Sequence, residues 1–103
     1  MASRPRTDLQ IILEGFAPNV YFQPPNDVLM EYPAIVYKRD GVNAEHANNN
    51  PYILGVRYLI TAIGKDPDEL LTIVLQIASM ESAVHQRNYV VRNLYHEIFL
   101  VYF

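Results

Sequence analysis

The spacing of apolar residues predicts two amphipathic helices. In residues 7–16 they recur at i, i+3, i+4 and i+7, one face of a helix: Leu9, Ile12, Leu13 and Phe16. Thr7 stands before this stripe as the expected N-cap. In residues 67–79, Asp66 is the expected N-cap and Pro67 takes the first helical position. Each helix is expected to bury one face.

Five further segments have the composition or alternation of β-strands. They are residues 20–22, 34–40, 53–64, 83–91 and 95–103. Residues 41–51 form the most polar stretch and predict a loop, which would make the strands on either side a long antiparallel hairpin. Arg92-Asn93 predicts a tight turn between the last two strands.

The resulting element order, α-β-β-β-α-β-β, predicts an α+β fold. In that fold two helices pack on a mostly antiparallel sheet with a long hairpin. A chain of 103 residues is too short for two cores, so residues 1–103 are expected to form one domain. Residues 53–64 are apolar on both faces, which predicts that this strand is covered on both sides. Two helices would struggle to provide that cover.

The composition of the chain excludes several kinds of site and argues against some partners. The absence of cysteine excludes disulfides, thiolate metal sites and cysteine nucleophiles. The longest apolar runs are about six residues, too short to span a bilayer, so no membrane contact is expected. The net charge is −3, which argues against tight binding of a phosphate backbone, although Lys38-Arg39 and the tyrosines could form a local nucleic-acid platform.

Catalytic and metal-binding patterns are weak in this sequence. The three histidines, His46, His85 and His96, have no partner at metal-ligand spacing, and no phosphate-binding glycine motif is present, so no cofactor is expected. His96 and Glu97 are neighbours and would point to opposite faces of a strand. A nuclease-like site built from His85, Arg87 and His96 is an alternative, because His85 and Arg87 would share a face of a regular strand.

Surplus apolar surface is the most informative feature. The run Ile98–Phe103 has high β propensity and no charge, so it must be paired or buried, either within a compact monomer or by another subunit. A polar loop longer than ordinary hairpin loops is typical of a functional segment. The candidate interface residues are therefore Asn43, Glu45, His46, Asn48, Asn49, Asn50 and Tyr52 in the loop, and Leu100, Tyr102 and Phe103 in the last strand.

Several short motifs resemble those of a known protein family. They are Asn-Val-Tyr-Phe-Gln-Pro-Pro at 19–25, Tyr-Pro-Ala-Ile-Val-Tyr-Lys-Arg at 32–39, Asn-Asn-Pro-Tyr at 49–52, Arg-Tyr at 57–58, Lys-Asp-Pro-Asp at 65–68, Asn-Leu-Tyr-His at 93–96 and Leu-Val-Tyr-Phe at 100–103. Together they resemble the small neck and tail-completion proteins of tailed bacteriophages. The resemblance covers nearly the whole chain after the first helix, and its motifs are structural rather than catalytic.

This resemblance implies a tail terminator, a virion protein at the head–tail neck that is assembled in the host cytoplasm. Such a subunit forms a hexameric ring, caps the tail tube protein and joins it to the head connector or stopper. It has no enzyme activity, and DNA passes through the channel without specific binding. The alternatives are another neck component (a stopper, an adaptor or a tube-capping protein), the nuclease-like enzyme, and a bacterial regulatory or adaptor protein.

Overall fold

The computed structural model describes residues 5–25, 29–47 and 50–103, with the backbone alone for 42–47 and 50–55. The α+β class and the predicted element order are confirmed. In chain order the elements are α1 (Arg6–Glu14), β1 (Asn19–Phe22), β2 (Ala34–Ala47), β3 (Asn50–Gly64), α2 (Pro67–Ala78), β4 (Val84–Val91) and β5 (Leu94–Tyr102).

The strands form one mixed five-stranded sheet in the order β1-β2-β3-β5-β4. The pairs β2–β3, β3–β5 and β4–β5 are antiparallel, as expected. β1 instead pairs parallel with β2, with Asn19 opposite Ala34 and Phe22 opposite Tyr37. β2 begins at the end of the sheet where β1 began, so the prediction of a mostly antiparallel sheet holds for four of the five strands only.

The helix starts match the sequence signals unequally. At α2 the predicted cap is confirmed, because the Asp66 side chain accepts a hydrogen bond of 2.9 Å from the backbone N–H of Asp68. At α1 the prediction that Thr7 is the N-cap is wrong. Pro5 has extended backbone angles and occupies the cap position without a side-chain bond, so the helix already begins at Arg6.

Both helices pack on the same face of the sheet. Their buried residues, those of β2, β3 and β5, and the flanking Ala17 and Phe103 form a single core, whose element residues are Leu9, Leu13, Ile35, Tyr37, Tyr58, Ile60, Ala62, Leu70, Ile73, Ile77, Phe99 and Val101. The expectation that residues 53–64 are covered on both sides stays a prediction, because full cover of the second face would have to come from another subunit. The helices cover one face of β3 and leave the other open.

The turn between β4 and β5 is the predicted one. Arg92 and Asn93 have φ angles of 53° and 63° and connect the directly paired residues Val91 and Leu94. Two successive positive φ angles are typical of a type I′ hairpin turn, which favours Asn at the first position and Gly at the second. Arginine is therefore strained at this first position.

Replacing Arg92 with asparagine is expected to raise the free energy of unfolding by about 0.5–1 kcal/mol, because asparagine tolerates the left-handed region better than arginine does. Urea denaturation of wild type and variant measures the difference. Arg92→Ala is the matched control, since it removes the same charge without favouring the turn. An equal gain in both variants would contradict the backbone explanation.

Tyr37 is a core residue whose hydroxyl group forms hydrogen bonds to α1. Its ring is buried and lies against Phe22 and Tyr58, with centroid separations of 4.9 and 6.0 Å. Its hydroxyl accepts a hydrogen bond of 2.8 Å from Arg6 and donates one to the Gln10 side chain, which fixes α1 to the sheet. Burial raises the pKa of the Tyr37 phenol above its usual value, although Arg6 acts in the opposite direction.

This shift predicts a loss of stability at alkaline pH. A raised pKa in the folded state means that Tyr37 favours folding below the usual tyrosine pKa, about 10, and loses that contribution as the pH rises through the folded-state pKa. We expect the unfolding free energy of wild type to fall more steeply above about pH 10 than that of Tyr37→Phe. Tyr89→Phe, at an exposed edge strand, should keep the wild-type slope. Identical slopes for all three proteins would contradict the assignment.

Candidate interaction surface

The face of the sheet that lies opposite both helices is called the open face here. Its central residues come from β2, β3 and β5 and alternate with the core residues along each strand: Ala34, Val36, Leu59, Thr61, Ile63, Ile98 and Leu100. Ala34, Ile63 and Ile98 are buried but do not belong to the core cluster, which places them on this second face. Val36, Leu59 and Leu100 are half-buried.

The register makes this apolar set continuous across three strands. Thr61 of β3 lies between Val36 of β2 and Ile98 of β5, and Leu59 lies opposite Leu100. A contiguous apolar surface on a sheet is typical of an interaction site, whereas single exposed apolar residues are ordinary. The open face is therefore the strongest candidate surface among the described residues.

Charged residues lie at the border of the open face. Arg57 Nε is 3.0 Å from Asp40 Oδ2 as an ion-pair contact, and Nη2 donates a hydrogen bond to the Asp40 carbonyl. The pKa of Arg57 is raised by its hydrogen bond with Tyr102 and by the charge of Asp40. Lys38 and Arg87 are exposed, and neither takes part in the ion pairs found within the described ranges. The border consequently carries unpaired positive charge.

Neither edge of the sheet is well suited to pairing with another strand. β1 has only four residues and is followed by Pro24-Pro25. β4 is exposed along its whole length, but a bulge interrupts it where His85 pairs with Phe99 and Arg87 pairs with Ile98. Short edge strands, prolines and bulges are the usual protection against edge-to-edge association.

The bulge in β4 separates the residues of the nuclease alternative. His85 faces the helices, with Nε2 2.8 Å from Glu97 Oε1 and its ring edge-on to Phe99. Arg87 lies opposite Ile98 and is therefore on the open face, so the expectation that His85 and Arg87 share a face is wrong. The extra residue, Gln86, shifts the alternation by one.

His96 lies on the open face, away from His85. Its ring stacks on Tyr89 with centroids 4.6 Å apart and an interplanar angle of 10°, and the Arg87 guanidinium lies 5.7 Å from the Tyr89 ring centroid. Glu97 points to the other face, as expected for adjacent strand residues, and meets His85 there. Arg87, Tyr89 and His96 thus form an aromatic and cationic row beside the apolar centre of the open face.

The hairpin between β2 and β3 extends well beyond the rest of the sheet. β1 stops at Phe22, opposite Tyr37, and the last contact of the C-terminal segment is made by Phe103, which exchanges backbone hydrogen bonds with Val56. The residues beyond these points, 42–47 and 50–55, are called the arm here, and within the described chain they pair only along the hairpin of β2 and β3.

The prediction of a loop over residues 41–51 is therefore wrong for the described part of that stretch. The antiparallel register continues from Val42 opposite Val56 to Ala47 opposite Asn50. Composition favours a loop here, but the ladder that starts between the apolar halves of β2 and β3 propagates into the polar segment. Bulges at Asp40 and Leu54 interrupt it twice.

The predicted interface residues are divided between several places. Asn43, Glu45, His46, Asn50 and Tyr52 occupy register positions in the arm, whereas Asn48 and Asn49 lie outside the described residues. Leu100 and Tyr102 are on the open face. Phe103 is 6% exposed and packs in the core of its own chain. Sequence reasoning missed Val36, Leu59, Thr61 and Ile98, because it could not tell that both helices cover one face.

Searches for other kinds of site and for relatives give negative results. Within the described ranges, no three metal-ligating side chains are grouped and no helix has the length and apolar character needed to cross a membrane. No protein-family model, curated protein or solved structure matches the chain.

Proposed function

We propose that this protein is a structural subunit of the neck of a tailed bacteriophage, the tail terminator. In this proposal six copies form a ring that caps the tail tube and joins it to the head connector. The subunit works by assembly and performs no catalysis, and DNA passes through the ring without specific contacts. The sequence motifs that resemble neck and tail-completion proteins support the virion assignment.

The observation that carries the proposal is the uneven cover of the sheet. Both helices lie on one face, and on the other face Val36, Leu59 and Leu100 stay only half-buried on three adjacent strands. The apolar area that these side chains leave in water costs free energy that contact with a neighbouring subunit would recover. Stability shared between subunits is typical of ring components.

The geometry offers less support to the nuclease alternative. Its three residues lie on two faces of the sheet, with His85 bonded to Glu97 on the helix side and His96 stacked on Tyr89 on the open side. General acid–base chemistry requires its groups to meet at one substrate atom. Ring formation needs only surfaces, and the open face provides one.

Solution mass tests the proposal directly. Light scattering on the purified protein over a concentration series is expected to show about 71 kDa, six times the 11.9 kDa of one chain, at high concentration. Electron microscopy of the same sample should show closed rings with a central channel. A mass of one chain at every concentration, both alone and with tail tubes, would contradict ring formation.

Binding to the two neighbours in the neck distinguishes a terminator from other neck rings. A terminator should bind the end of preassembled tail tubes and should halt their elongation. A stopper or adaptor should bind the head connector and leave tube elongation unchanged. Binding to the connector alone would therefore indicate that the protein is a different neck ring component and not the terminator.

A further inference from the structure

We propose that the arm of one copy lies across the open face of the next copy. This inference rests on the proposed ring and identifies the contact that builds it. The partner is a second copy of this chain, and the contact joins two different surfaces of the same protein. Four features support this contact: the hairpin pairing of the arm, the protected sheet edges, the apolar open face, and the matching size and charge of the two surfaces.

Among the described residues, no third strand pairs with the arm. The arm consists of two strands that pair along the hairpin of β2 and β3 over residues 42–47 and 50–55. A two-stranded ribbon is at best marginally stable in water without a third strand or a packing surface. The arm continues β2 and β3 away from the sheet, so it cannot fold back over the open face of its own chain without breaking the ladder.

The alternatives for contact between copies are weaker than the open face. Pairing through the sheet edges is opposed by the bulge in β4 and by the shortness of β1 and the prolines after it. The open face, in contrast, presents the half-buried side chains of Val36, Leu59 and Leu100 on three adjacent strands. Completing their burial would release bound water, and this release is the main driving force of association.

Size and charge match between the two surfaces. Six residues per strand give the arm a length of about 20 Å, and five strands spaced by about 4.8 Å make the sheet about 20 Å wide. Glu45 is the one acidic residue in 42–55, a stretch that contains no lysine or arginine. The border of the open face carries Lys38 and Arg87, so a neighbouring arm brings negative charge to a positive border.

A contact between two different surfaces has a definite consequence for assembly. Each copy gives its arm to one neighbour and receives an arm from the other. Such a heterologous contact repeats with a fixed rotation and produces a closed ring when that rotation closes. An arm-to-face contact therefore leads to a ring rather than to a symmetric dimer.

The absence of cysteine from the chain allows a clean crosslinking test. We would combine His46→Cys in the arm with Thr61→Cys in the middle of the open face. Oxidation with copper phenanthroline should give a ladder of disulfide-linked species that extends from dimer to the full ring. The matched control combines His46→Cys with Leu75→Cys, which lies exposed on α2. We expect at least tenfold more crosslinked protein from the arm and face pair than from this control.

Two further samples separate the outcomes. Each single-cysteine variant should yield no species larger than a dimer, and strong dimer formation by His46→Cys alone would indicate arm-to-arm contact and overturn the inference. Light scattering of each sample before oxidation gives its assembly state. Rings that crosslink no better than the control would overturn the arm-to-face contact while leaving the proposed ring intact. A monomer at every concentration would overturn both.

Discussion

Replacing Leu100 with aspartate is expected to turn assembled protein into folded monomer. Leu100 lies opposite Leu59 in the apolar centre of the open face and is half-buried. A carboxylate at this position stays hydrated in the monomer but would lose its water against a neighbouring subunit, where a buried unpaired charge is strongly unfavourable. We expect self-association to weaken by more than about 100-fold, or about 3 kcal/mol.

Light scattering and circular dichroism together measure this effect. Leu75→Asp is the matched control, because it introduces the same charge at an exposed leucine of α2, on the other side of the sheet. It should assemble like wild type. Thr61→Arg provides a second test on the open face with a residue that is already polar, in case Leu100→Asp lowers the stability of the fold. Normal rings from either open-face variant would contradict burial of this surface.

Shortening the arm is expected to have an equally large effect on assembly and little effect on the fold. Asn43 and Gly55 are directly paired, so residues 44–54 can be replaced by Asn-Gly, the preferred two-residue connection of a type I′ hairpin. The core draws its residues from the helices and from strand positions outside this segment. The unfolding free energy should therefore change by only about 1 kcal/mol, because the new turn closes a shorter loop.

The arm variant is expected to be monomeric at concentrations at which wild type forms rings, since the proposed ring depends on the arm. Mixing the arm-shortened variant with wild type provides a further control. Adding arm-shortened chains to wild type should cap growing assemblies, because such a chain still receives an arm but offers none. Rings of normal mass from the shortened chain alone, or infectious particles that carry it, would exclude an essential role for the arm.

The elements that sequence predicted best are those whose signals are local. The Asp66-Pro67 start of α2 and the Arg92-Asn93 turn both depend on backbone preferences of one or two residues, and both are present. Thr7 shows the limit of such signals, because Pro5 supplied an extended residue that allowed α1 to begin earlier. Local chemistry therefore located these elements to within about two residues.

The sequence did not predict how elements that are far apart in the chain pack against one another. Alternation along β3 showed that both its faces are apolar, but it could not show that α1 and α2 cover the same face. The loop at 41–51 was predicted from polar composition. In the described part of this stretch, the strand pairing that starts in the apolar part of the hairpin continues instead. Gln86 shifts the alternation of side chains between the two faces within β4, and no pattern in a single sequence predicts such a bulge.

The base of the arm has a consequence for the number of subunits in a ring. Asp40 forms a bulge between Arg39 and Gly41, and Arg57 binds Asp40 through both its side chain and its carbonyl. Asp40, Gly41 and Arg57 thus form a joint at the point where the arm leaves the sheet. In a ring built by arms, the direction of the arm sets the step angle between successive copies, and six copies require about 60°. This joint of three residues would then determine how many copies close the ring, and hence the diameter of the channel. Variants of the joint would change the copy number rather than abolish assembly.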